Sequence, residues 1–179
     1  MPHQSPFQLF ENQPVQKVKK GQVLVKTGQH STHAYYVIKG CLRSFMVDQK
    51  GKEHIYQFAP EDWIISDLEF FKNKGSAFLT IDAIEDSELK IIPMDAFYGI
   101  ASYEPKLIQE AFQKFQNRMY ALQKRIIELL AYSAEERYKQ FIQTYPSLYN
   151  RIPLKMIASY LGLTPESLSR VRKEMVKGR

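Results

Sequence analysis

The sequence predicts an α+β chain: an N-terminal antiparallel β-roll of jelly-roll type, then one long helix, then a C-terminal helix-turn-helix. Three observations predict it. Short runs rich in β-branched and aromatic residues, punctuated by glycine and proline, fill the stretch from Gln22 to Pro93. From Ile108 to Leu129 apolar residues recur at alternating steps of four and three. Basic charge then gathers at the end. Residues 151–179 carry Arg151, Lys155, Arg170, Arg172, Lys173, Lys177 and Arg179 against Glu166 and Glu174, a net +5, while the preceding 150 residues hold 18 basic and 17 acidic side chains.

Taken in order, the first 20 residues read as a short helical or irregular lead-in. QVLV, AYYVIKG, CLRSFMV, HIYQF, AFLTIDAI and ELKII then read as strands, with Gly21, Gly28, Gly40, Gly51, Pro60 and Gly75 at the turns. Leu79, Ile81 and Ala83 alternate with Thr80 and Asp82, the pattern of a strand with one buried face. Many short strands at this spacing form a sandwich or roll. MDAFYGIASY (Met94–Tyr103) reads as a short helix.

The next 29 residues, Glu104 to Tyr132, read as one long helix whose seam is Ile108, Phe112, Phe115, Met119, Leu122, Ile126 and Leu129. That is about three heptads. Gln113, Lys114, Gln116, Asn117, Arg118, Lys124, Arg125 and Glu128 are expected on its polar sides, and Leu107, Ala111, Ile127 and Leu130 widen the stripe. Two readings are open. The helix pairs with its copy in a homodimer, or it lies on its own sheet. A strict 3.5-residue period favours the first, because a surface helix drifts toward 3.6. A further helix, Ala134–Tyr145, is stopped by Pro146. The implied divisions are a roll (1–103), a long dimerisation helix (104–131) and a DNA-binding helix-turn-helix domain (132–179).

The segment from Pro153 to Met175 meets the demands of two short helices packed steeply over a tight turn. Ala158 is small where the helices come closest, and Gly162 tolerates positive φ at the turn. Leu154, Ile157 and Leu161 give the first helix an apolar face, and Leu168 and Val171 return from the second. Thr164 suits an N-cap, Pro165 the first helical position, and Glu166 the positive end of the dipole. The outward residues Glu166, Ser167, Ser169, Arg170, Arg172 and Lys173, with Thr164, make a candidate DNA-binding face. Arg170 suits the paired acceptors of guanine, Glu166 the amino group of cytosine, and the others phosphates. The plainer alternatives are a surface ion pair between Glu166 and Arg170 and an ordinary helical hairpin with a solvated basic face.

Composition narrows the function classes. Hydrophobic residues make up 44% of the chain, enough for a packed core. No leader-like basic-then-apolar start and no long apolar stretch is present, so a cytoplasmic, membrane-free location is expected. Cys41 is the sole cysteine, which fits a reducing compartment and falls short of the four thiolates of an iron–sulfur cluster. It reads as a core thiol, with redox sensing as the alternative. No Ser-His-Asp set, Cys-His pair, metal-ligand cluster or phosphate-cradling loop points to catalysis, so no enzyme, metal or cofactor is expected. His30 and His33 read as surface residues.

The chain resembles the CRP/FNR family of regulators. The resemblance covers nearly its whole length and rests on KKGQVLVKTGQ (Lys19–Gln29), YYVIKGCLRSF (Tyr35–Phe45), DQKGKEHIYQFAPEDW (Asp48–Trp63) and LGLTPESLSRVRK (Leu161–Lys173). It implies a cyclic-nucleotide-binding-like roll, a dimerisation helix and a DNA-reading helix-turn-helix. Glu166 and Arg170 match the family's base-reading glutamate and arginine, while Pro165 stands where cAMP-responsive members have an arginine. Ile65 and Ser66 replace the Gly-Glu pair for the ribose, and Gly75 to Phe78 offers no arginine for the cyclic phosphate. Lys72 or Lys74 lacks the bidentate fork that would replace it. cAMP binding is therefore not expected, and the small-molecule effector is unidentified. Tyr56, Phe58, Trp63, Phe70 and Phe78 either line an effector pocket inside the roll or fill it. Many members continue into a β-hairpin wing; a fold without that wing is expected here. The expected partners are double-stranded DNA, a second copy of the chain and RNA polymerase. The competing expectation is a cupin-like small-molecule-binding protein or enzyme with a helical oligomerisation tail.

Overall fold

The computed structural model describes residues 13–69, 76–94 and 105–177, with the side chain of Leu107 outside that set. The expected short helix Met94–Tyr103, Phe70, Lys72 and Lys74 accordingly lie wholly or almost wholly outside it. Eight described strands form two four-stranded sheets: β1 (Val15–Val18), β2 (Val23–Val25), β3 (His33–Lys39), β4 (Leu42–Val47), β5 (Glu53–Ala59), β6 (Ile64–Ile65), β7 (Thr80–Ala83) and β8 (Ser87–Pro93). One sheet runs β1-β8-β3-β6 and the other β2-β7-β4-β5, and the described pairings are antiparallel. This is the expected antiparallel roll followed by helices.

The sheets enclose an apolar core. Val18, Val25, Tyr35, Val37, Leu42, Ile65, Ile81 and Leu89 bury their side chains in it, with Leu24, Trp63 and Ile91 packed at its margin. Each faces inward because alternate residues of a strand point the same way. Burial removes the Tyr35 phenol from water and pushes its pKa up to about 12. Gly40 turns β3 into β4 at φ +94, where an added Cβ would lie 2.8 Å from the carbonyl oxygen of Asp86. Only glycine suits both the backbone and the space.

Two expectations needed correction. Residues 15–18, read as part of an irregular lead-in, form an edge strand in register with β8, Val15 opposite Lys90 and Val18 opposite Ser87. And β7 is not half-buried: Thr80 and Asp82 are buried along with Ile81 and Ala83. The polar pair has partners distant in sequence. Thr80 Oγ1 accepts from the backbone N–H of Thr27 at 3.1 Å. Asp82 receives two bonds from Arg43, at 2.8 and 3.0 Å, directly across the strand pair. Arg43 also lies 4.1 Å over the Phe45 ring, two residues along the same face.

The chain divides into two compact units. Unit one is residues 1–46 and 56–116, and unit two joins residues 47–55 to residues 117–179. Four described helices follow the roll: α1 (Pro105–Ala131), α2 (Ala134–Thr144), α3 (Leu154–Tyr160) and α4 (Pro165–Lys177). Ser133 and Glu136 form a reciprocal cap that starts α2: the Ser133 hydroxyl accepts from Glu136 N, and the Glu136 carboxylate accepts from Ser133 N at 2.8 Å. Hydrogen bonding of the Glu136 carboxylate to the Ser133 side chain and to the Ser133 backbone N–H holds its pKa below the ordinary value.

Candidate nucleic-acid interface

The expected DNA-facing residues all sit on α4 or at its start. Thr164 Oγ1 accepts from Ser167 N at 3.2 Å and its hydroxyl donates to Ser167 Oγ at 3.1 Å, so Thr164 caps the helix at its third residue. Pro165, which has no N–H to satisfy, opens the first turn, and Glu166 sits beside the positive end of the dipole. Leu168 and Val171 are buried, and Met175 is half-buried. That spacing of three and four defines the inward stripe. Glu166, Ser167, Ser169, Arg170, Arg172 and Lys173 are all exposed on the remaining faces.

α3 presents Ile157 and Ala158, both fully enclosed, and Leu161 is buried just beyond it. Gly162 then makes the turn at φ +67. Its N–H donates to Ser159 O at 3.1 Å, and the N–H of Leu163 donates to Ala158 O at 2.9 Å. This paired pattern is a Schellman cap, which needs a left-handed residue after the helix. Two arginines complete the helix end: Arg125 of α1 donates to Tyr160 O at 3.0 Å, and Arg137 of α2 donates to Leu161 O at 2.9 Å. Cations placed on terminal carbonyls also oppose the negative end of the helix dipole.

Aromatic packing supports the same end. Phe141, Tyr145 and Tyr160 form a triangle with ring centroids 5.3, 5.6 and 5.9 Å apart, and the Arg125 guanidinium lies 4.1 Å over the Tyr160 ring. Burial, with Tyr160 beside it, drives the Tyr145 phenol well above its ordinary pKa.

Sequence reasoning missed Arg125 and Arg137. Arg125 is expected on a polar side of the long helix, yet it is half-buried. Its partner carbonyl lies 35 residues away in sequence. A local pattern cannot announce a guanidinium that serves a distant helix end.

The seam residues divide. Ile108 and Leu122 are half-buried, whereas Phe112 is 60%, Phe115 58%, Met119 51%, Ile126 58% and Leu129 39% exposed. Of the residues suggested to line the roll, Phe58 is fully buried, Tyr56 and Trp63 are half-buried, and Phe70 lies outside the described residues. Phe78 does not fit an interior place: it is 59% exposed, because it sits in the loop before β7 rather than in a strand. Cys41 is buried, with its thiol directed at Leu42 O. Among the described residues no group of three or more His, Cys, Asp or Glu side chains could hold a metal ion.

Residues 15–104 match the cyclic nucleotide-binding domain family. Over longer spans the chain is 29% identical to the anaerobic regulatory protein of Aggregatibacter actinomycetemcomitans and 28% identical to the regulatory protein HlyX of Actinobacillus pleuropneumoniae. The chain belongs to the CRP/FNR family. The two alignments take in 86% and 93% of this CRP/FNR chain, and 63% and 77% of those relatives' lengths. The fold matches solved members too. FixK2 of Bradyrhizobium japonicum superposes with a TM-score of 0.78 at 17% identity, covering 93% of this chain and 85% of that one. A CRP/FNR-family transcriptional regulator of Thermus thermophilus gives 0.73 at 16% identity, covering 92% and 87%.

Proposed function

We propose that the chain is a dimeric, sequence-specific, DNA-binding transcriptional regulator whose α3–α4 pair is a helix-turn-helix. The observation that carries this reading is the two-sidedness of α4. Leu168 and Val171 are buried, while the uncapped face offers Glu166, Ser169, Arg170, Arg172 and Lys173 to solvent. An α-helix of this kind fits the major groove. Arg170 supplies a planar fork for guanine and Glu166 an acceptor for cytosine, while Thr164, Ser167, Ser169, Arg172 and Lys173 reach phosphates. Relatives named as regulatory proteins support the same reading.

The long helix supplies the second half of the proposal. Four large apolar seam residues, more than half exposed in the single chain, form an apolar strip that a second copy would cover. A two-fold dimer would place two α4 helices in successive major grooves, about 10 base pairs apart. RNA polymerase is the further partner of a protein seated at a promoter.

The roll is proposed to sense an effector other than cAMP. Ile65 and Ser66 bring no carboxylate to the place where the Gly-Glu pair of cAMP-responsive members would accept from the ribose hydroxyl. Next to them Asp67 is 2% exposed, and its carboxyl group accepts from the backbone N–H groups of Glu69 and Leu79 at 2.9 and 2.6 Å. The Asp67 carboxyl thus occupies two backbone donors that an anionic ligand could otherwise use. Among the described residues no helix is long and apolar enough to cross a membrane.

Selection of bound fragments from genomic DNA tests the reading. Recovered fragments should share a two-fold sequence, and affinity should fall steeply with salt, by nearly one logarithmic unit in slope per phosphate neutralised. Failure to retain any duplex at low ionic strength would refute it. Millimolar cAMP should leave Tm unchanged; a rise of several degrees would overturn the effector reading.

A further inference from the structure

The first residues of β5 carry a contact that the DNA-reading face does not use. β5 ends the order β2-β7-β4-β5, so one of its edges has no strand beside it among the described residues. Residues 53 and 55, two apart on a strand, direct their backbone polar groups toward the same edge. Those groups have side-chain partners. The Ser159 hydroxyl donates to Glu53 O at 2.7 Å and accepts from Ile55 N at 3.1 Å. Arg125 Nη2 donates to Ile55 O at 3.1 Å and to Tyr160 O at 3.0 Å. All these residues belong to the second compact unit.

Each partner has the chemistry the position demands. A hydroxyl is both donor and acceptor, so one side chain serves a carbonyl and an N–H together. The guanidinium is a fixed planar fork of donors, and it is stacked on Tyr160. α3 is thereby fastened to the strand at its last turn, next to the Schellman cap and the Arg137 bond to Leu161 O. α4 follows α3 because Leu168 and Val171 are buried beyond a turn of only four residues.

We propose that Ser159 and Arg125 are positioning residues for DNA recognition: by tying α3 to the backbone of Glu53 and Ile55 they fix the direction in which α4 is presented, and so set how sharply the protein discriminates half-site spacing. The inference rests on the proposed dimeric DNA-binding function. A helix held in one direction meets the groove at one spacing, whereas a helix free to swing tolerates a base pair more or less. Neither residue need touch DNA for this effect.

The test uses the full chain and a set of duplexes with identical half-sites and spacers changed by one base pair at a time. Wild type should prefer one spacer by about tenfold or more, as two rigidly spaced sites do when geometry forbids simultaneous engagement. Ser159→Ala should flatten that preference to about threefold or less, with base preference inside each half-site and the salt slope unchanged. Ser159→Thr, which keeps the hydroxyl, should restore it. Arg125→Lys keeps the charge but not the fork and should flatten the profile as well, with circular dichroism checking that each variant is folded. A wild-type profile in both Ser159→Ala and Arg125→Lys would overturn the inference while leaving DNA binding intact. A wild type that binds no duplex would instead remove the underlying function, and this inference with it.

Discussion

Arg43 is 5% exposed and Asp82 8%, yet the pair sits in the middle of a sheet because its geometry is bidentate and its register is direct. Removing one partner strands the other charge. Asp82→Ala is expected to cost roughly 3–5 kcal/mol, while the double change Arg43→Met/Asp82→Leu should cost far less. Urea midpoints measure both, and equal losses would contradict the assignment. Tyr35 gives a second residue-scale expectation. Its phenol stays protonated in the folded chain up to about pH 12, against 10.0 for the free group. The raised folded pKa means that this contribution is complete below the lower value and is lost as pH rises toward the upper one. Tm should therefore fall on alkaline titration in that window, and Tyr35→Phe should lessen the fall. These buried polar partners were the part hardest to read in advance. The alternation around β7 was plain in the sequence, but nothing local says that Thr80 will meet Thr27 or that Asp82 will meet Arg43.

At the scale of elements, legibility followed how local the cause was. Strands β2 to β5, β7 and β8 were visible because branched and aromatic runs end at glycines and prolines, and the long helix because its apolar period is sustained. β1 escaped because VQKV is short and mostly exposed, an edge strand specified by its pairing to β8 rather than by its own residues. The α3–turn–α4 segment was legible residue by residue, since a small residue, a left-handed glycine and a cap each leave a local sign. Its supports from Arg125 and Arg137 were not, because they come from other helices. Two expectations belong here. Leu168→Ala should cost about 2–5 kcal/mol, as truncations of fully buried leucines do, and should weaken DNA binding through loss of the helix pair. Gly162→Ala forces a Cβ into φ +67 and should cost roughly 1–2 kcal/mol, read by thermal unfolding. On α1, Phe115→Glu places like charges across the proposed seam. Light scattering should then report monomer where wild type reports dimer; a wild-type monomer would contradict the seam.

For the molecule as a whole, the distribution of charge matters more than its total. A body of near-neutral balance ends in 29 residues of net +5, and the exposed cations of α4 lie on the side turned away from Leu168 and Val171. Such a surface attracts any polyanion through counterion release, while base edges decide among sequences. Two such surfaces in one dimer would turn modest affinity per half-site into tight binding of a two-fold operator, provided both engage together. The most direct measurement is therefore a comparison of wild type and Arg170→Ala on an operator selected from genomic DNA and on the same operator with each half-site base pair replaced in turn. Arg170→Ala should lose about 1–3 kcal/mol on the intact operator and become indifferent to one guanine position, while keeping nearly the same salt slope. Unchanged affinity and unchanged base preference in that variant would contradict the assignment of α4 as the element that reads DNA.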